Sequence, residues 1–115
     1  MLSDEHQYRI LKRLEADPGT SQRELARELG ISLGKVNYCL NALVEKGLIK
    51  ARNFRNNKNK AAYLYLLTPQ GIEARARLTV NFLRRKMQEY EQLEQEIEEL
   101  RREADILREN KGADE

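Results

Sequence analysis

Residues 21–50 read SQRELARELGISLGKVNYCLNALVEKGLIK, and the punctuation of this stretch decides the fold. Ser21 and Glu24 form an S-x-x-E capping box, in which the hydroxyl takes one orphan N–H of a helix start and the carboxylate another. The helix so opened carries Leu25, Ala26 and Leu29. It stops at Gly30, which enters the left-handed region without a Cβ penalty. Ile31 leads to Ser32, a second N-cap. A third helix over Leu33–Lys46 then puts Val36, Leu40 and Leu43 on one face at i, i+4 and i+7. Gly47 closes it. Two helices joined by a tight glycine turn, with the small Ala26 where they cross, predict a helix-turn-helix.

Working outward, residues 4–16 read as a preceding helix with Ile10, Leu11 and Leu14 at helical spacing and Tyr8 nearby. Asp17-Pro18-Gly19 ends it. On the other side, Leu48–Phe54 and Ala61–Leu67 read as two short strands around the polar, turn-prone stretch 55–60, making a hairpin. Thr68-Pro69 starts a last helix, with Thr as N-cap and Pro at the first helical position. It runs to about Glu109, and Lys111–Glu115 reads as a frayed tail. A helix of ~40 residues is ~60 Å long, more than a small domain can cover on one face. The expected class is mainly α, an α+β winged helix-turn-helix with a long C-terminal coiled-coil helix. Its expected parts are a DNA-binding domain over 1–68, a dimerisation helix over 69–110 and the tail 111–115.

Composition narrows the function. The 115 residues are 35% charged and 6% aromatic. No run approaches the ~18 apolar residues of a membrane span, and no apolar stretch marks a secretory signal, so a cytoplasmic protein is expected. The single cysteine, Cys39, and the single histidine, His6, make metal clusters and Ser-His or Cys-His catalysis poor readings. Cys39 reads as a small buried hydrophobe and His6 as a surface residue. With no carboxylate pair, nucleophile set or glycine-rich phosphate loop, neither an enzyme nor a cofactor or metal site is expected. Charge is uneven: residues 1–80 carry a net +6 and residues 81–115 a net −4. A basic front suggests a polyanion partner.

The candidate interface lies mainly on the third helix. With Val36, Leu40 and Leu43 inward, Ser32, Leu33, Gly34, Lys35, Asn37, Tyr38 and Asn41 lie outward or at its N-terminal end, without an acid before Glu45. An α-helix fits the major groove, and its first turns reach base edges. Asn37 and Asn41, one turn apart, each suit adenine, and Lys35 suits a guanine or a phosphate. Tyr38 suits a phosphate or a thymine methyl. Between Lys46 and Ile72 there is no acidic residue. Arg52, Arg55, Asn57, Lys58 and Lys60 are therefore the candidate wing contacts to the phosphate backbone or minor groove. The plainer alternatives are a solvated helix face and a solubilising loop.

The run 21–50 resembles the DNA-binding core of MarR-type winged-helix repressors, and Leu66-Leu67-Thr68-Pro69-Gln70-Gly71 matches the LTPxG junction usual in that family. Over about residues 5–95 the chain looks most like the small exopolysaccharide-associated subgroup. The resemblance implies a bacterial regulator of exopolysaccharide genes. Larger MarR proteins add an N-terminal helix and two C-terminal ones around a ligand pocket. Since the chain shows none of these, no small-molecule effector is expected.

In the last helix Tyr90, Leu93, Ile97, Leu100, Ala104 and Leu107 are spaced 3-4-3-4-3, a heptad seam with Tyr90, Ile97 and Ala104 at a. Leu83 extends the a row back one heptad, where Lys86 occupies d. In a parallel pair Glu96 meets Arg101 and Glu103 meets Arg108. An antiparallel pair sets Glu against Glu. A parallel homodimer is therefore favoured, by only ~0.2–1 kcal/mol per exposed pair. The whole pattern points to a homodimeric repressor reading an inverted repeat in double-stranded DNA. The rivals are an architectural DNA-binding protein of low specificity and a winged-helix/coiled-coil adaptor for proteins.

Overall fold

The computed structural model describes residues 2–55 and 61–113. Their elements run α1 (Asp4–Ala16), α2 (Gln22–Leu29), α3 (Leu33–Glu45), β1 (Ile49–Arg55), β2 (Ala61–Leu67) and α4 (Pro69–Ala113). The chain forms two compact units, residues 1–80 and 81–115.

Each helix of the first unit starts where its cap dictates. The hydroxyls of Ser3, Ser21 and Ser32 accept from the backbone N–H groups of His6, Glu24 and Lys35, each at 3.1 Å. Such a cap contributes about 1 kcal/mol. Gly30 and Gly47 take φ of 70° and 73° and end α2 and α3, as their positions predict. Asp17 leaves the helical region, and its carboxylate accepts from the Gly19 N–H at 3.0 Å. This turns the chain before α2.

The core gathers Ile10, Leu11 and Leu14 of α1, Leu25 and Leu29 of α2, and Val36, Cys39, Leu40 and Leu43 of α3. Full burial of each large side chain contributes about 1.5–3 kcal/mol. Cys39 is fully buried, as expected, and its thiol pKa is raised, chiefly by that burial. At the surface, Arg13 bonds both carboxylate oxygens of Glu28 at 3.1 Å, and Arg9 donates to the Glu28 carbonyl at 2.8 Å, tying α1 to α2.

Strands β1 and β2 pair antiparallel in the register Ile49↔Leu67, Ala51↔Tyr65, Asn53↔Tyr63. Side chains alternate along a strand, so Ile49, Tyr65 and Leu67 share the face turned to the core, where Ile49 and Tyr65 are buried. The free edge of β2 is closed by the turn after α1, where the Tyr65 N–H donates to the Pro18 carbonyl at 3.1 Å.

The boundary expected at Thr68 moves to Val80. Ala74 and Leu78 of α4 enter the same core, and Arg75 pairs with Glu15 of α1 at 3.2 Å, so the first turns of α4 are part of the winged unit. At the other end the helix continues through Lys111, Gly112 and Ala113, residues that the sequence reads as tail.

Candidate nucleic-acid interface

The outer face of α3 is built by its inner one. Burial of Val36, Cys39, Leu40 and Leu43 leaves Ser32, Leu33, Gly34, Lys35, Asn37, Tyr38 and Asn41 exposed, so all seven predicted recognition-helix residues lie together on solvent-facing positions. Tyr38 is 54% exposed and Leu33 46%, so both present apolar surface beside the polar groups of this face. The first turn of α3 contains no acid, which suits approach to phosphates. Among the described residues, no group of three or more His, Cys, Asp and Glu side chains is placed to hold a metal ion.

The two asparagines are not independent, as their spacing alone suggests. Asn41 Nδ2 donates to Asn37 Oδ1 at 3.1 Å, and Asn37 Nδ2 donates to Gln22 Oε1 of α2 at 3.4 Å. Gln22 Nε2 in turn donates to the Tyr65 hydroxyl of β2 at 3.1 Å. Tyr65 is braced by Tyr63, whose ring stacks on it with centroids 6.1 Å apart. Gln22, Tyr63 and Tyr65 escaped the sequence reading. Only the alternation of Tyr63 and Tyr65 along β2 signals that both lie on one sheet face.

Arg52 pairs with Leu64 and so lies on the opposite sheet face from Tyr63 and Tyr65. It is exposed. Arg55 closes β1. Asn57, Lys58 and Lys60 lie outside the described residues.

In the second unit Leu83, Tyr90, Leu93, Ile97, Leu100, Ala104 and Leu107 are all exposed along α4, with Ile97 at 40% and Leu107 at 67%. The structure adds Met87, 56% exposed, four residues after Leu83 and three before Tyr90. In the heptad it stands at e, next to the polar d position of Lys86. The Lys86 ammonium lies 5.2 Å from the Phe82 ring centroid and 3.1 Å from Glu89. Arg102–Glu98 and Arg108–Asp105 also pair along the helix. Among the described residues, no helix is long and apolar enough to cross a membrane.

The sequence and the fold are similar to those of known proteins. The winged helix-turn-helix DNA-binding family matches residues 3–50. The HTH-type transcriptional regulator LrpA of Pyrococcus horikoshii is 39% identical over 72 residues, 63% of this chain and 50% of LrpA. The chain thus spans about half the length of the curated relative it matches. The transcriptional regulator PcaV of Streptomyces coelicolor, solved with its natural ligand, is 28% identical with a TM-score of 0.56, covering 68% of this chain and 54% of PcaV. The zinc-dependent MarR-family regulator AdcR, solved in its Zn(II)-bound state, is 25% identical with a TM-score of 0.55, covering 81% of this chain and 60% of AdcR. These proteins are regulators, and two were solved with a ligand or metal bound, so they lend no support to the expected lack of an effector. Residues 3–50 match the winged helix-turn-helix DNA-binding family, and the fold of the chain is similar to that of PcaV and of the MarR-family regulator AdcR.

Proposed function

We propose that this chain is a sequence-specific, DNA-binding transcriptional regulator that works in the cytoplasm as a homodimer and represses by occupying an inverted repeat in a promoter. The observation that carries the proposal is the outer face of α3, where Lys35, Asn37, Tyr38 and Asn41 are exposed together on a helix with no acid before Glu45. Placed in a major groove, Asn37 and Asn41 pair with adenines, Lys35 with a guanine or a phosphate, and Ser32, Leu33 and Gly34 bring the helix end close to the backbone. Arg52, Arg55, Asn57, Lys58 and Lys60 contribute phosphate contacts that do not depend on sequence.

One short helix makes few contacts, and two related by a twofold axis read half-sites about one turn, ~34 Å, apart. The exposed α4 seam, with Glu96 and Glu103 placed to meet Arg101 and Arg108 of a second copy, supports a parallel pairing. Exopolysaccharide genes as the target rest on the sequence resemblance alone.

Competition binding at fixed salt tests the reading. A duplex selected from a random pool is expected to bind at least ~10³-fold more tightly than unselected DNA. Equal affinity for all duplexes leaves an architectural DNA-binding protein, and no affinity for DNA leaves a protein adaptor.

A further inference from the structure

We propose that Gln22 and Tyr65 are positioning residues for base reading. Through them strand β2 sets the orientation of the Asn37 amide and, through Asn37, that of Asn41. The inference rests on the reading of α3 as a base reader and deepens it by adding two residues outside that helix.

An asparagine amide has a donor end and an acceptor end, exchanged by a rotation about a broad torsion. An isolated, exposed asparagine samples both. Bidentate pairing with adenine needs the oxygen toward N6 and the nitrogen toward N7, so a reader gains by having the choice made before contact. Here the three amides are linked in one chain of hydrogen bonds anchored on the core residue Tyr65, so that they turn together. The Tyr65 ring is buried, its N–H is bound to Pro18, and Tyr63 stacks against it. Its hydroxyl accepts from Gln22 Nε2, which turns Gln22 Oε1 toward α3. An amide oxygen only accepts, so Asn37 presents Nδ2 to it. Asn37 Oδ1 is then turned along the helix, where Asn41, one turn on, presents its own Nδ2.

All three amides therefore point one way. Asn37 and Asn41 each keep an N–H and an oxygen lone pair for a base edge. Gln22 is half-buried at the start of α2 and need not touch a base to act.

The test compares full-length wild type with Tyr65→Phe, which keeps the ring, and Gln22→Ala. In the free protein, the side-chain amide resonances of Asn37 and Asn41 are expected to move to solvent-exposed values in both variants, while α1 resonances stay in place. In competition binding, both variants are expected to lose about tenfold in discrimination at the base pairs read by Asn37 and Asn41, with an unchanged salt slope. In an Asn37→Ala background, Gln22→Ala is expected to add nothing.

Unmoved amide resonances in Tyr65→Phe, or weaker binding to all duplexes alike in Gln22→Ala, overturn the proposal. A wild type without base preference overturns the specific-reader reading and this role with it. A preference that survives Gln22→Ala overturns the positioning role alone.

Discussion

Gly71 lies directly against the backbone of Leu48: a Cβ at position 71 would come within 1.9 Å of the Leu48 carbonyl oxygen. That oxygen accepts from the Thr68 N–H at 3.0 Å. The Thr68 hydroxyl donates to the Gly47 carbonyl and accepts from the Gly71 N–H. The Thr-Pro-Gln-Gly junction thus clamps the start of α4 onto the turn between α3 and β1. Gly71→Ala is expected to destabilise the first unit by about 1–3 kcal/mol or more, because the atom in the way is backbone and cannot swing aside. Denaturant unfolding checks this, with Gly34→Ala as the control, since a Cβ there meets nothing within 4 Å.

The asparagine face and the wing are expected to fail differently. Asn37→Ala or Asn41→Ala relaxes base preference by about 1–3 kcal/mol for each bidentate base pairing removed. Replacing Arg55, Lys58 and Lys60 by Ala weakens binding to all sequences alike and flattens the salt slope by up to ~0.9 for each phosphate no longer neutralised. Titrations at several salt concentrations separate the two. A wing variant with the full wild-type slope would remove the wing from the interface.

Placing Asp at Ile97 and Leu100 is expected to give a folded monomer. Both side chains are exposed in the single chain, at 40% and 62%, so the substitutions cost the lone helix little. A paired seam would be left with unpaired buried charge. Sedimentation beside wild type reads the outcome, and operator affinity falls with the dimer while the circular dichroism of the winged unit stays. A wild type that is monomeric at tens of micromolar would remove the seam as a dimer interface.

Cys39 sets an expected alkaline limb. Burial raises its thiol pKa in the folded chain above the ordinary value of 9.0, so above that value the unfolded chain releases the proton more readily. The stabilising difference is complete below pH 9.0 and is lost as pH rises through the folded value. Cys39→Ala is expected to lower stability at neutral pH through poorer packing and to flatten the decline above pH 9.0 relative to wild type. Urea melts of both proteins across that window check it.

Much of this protein is determined locally. Ser3, Ser21 and Ser32 start helices because their hydroxyls meet N–H groups three residues on, and Gly30 and Gly47 stop them because their φ is positive. Spacing alone separates Val36, Leu40 and Leu43 from the exposed face of α3. What sequence could not supply is what joins residues far apart in the chain. The extension of the winged unit to Val80 depends on Ala74 and Leu78 finding room in a core made by α1 to α3. The amide chain depends on the approach of Gln22 to Tyr65, 43 residues away. Capping and periodicity act within a turn or two of helix and are written in neighbouring residues. The orientation of a side-chain amide is settled only by the donors and acceptors that folding brings to its two ends.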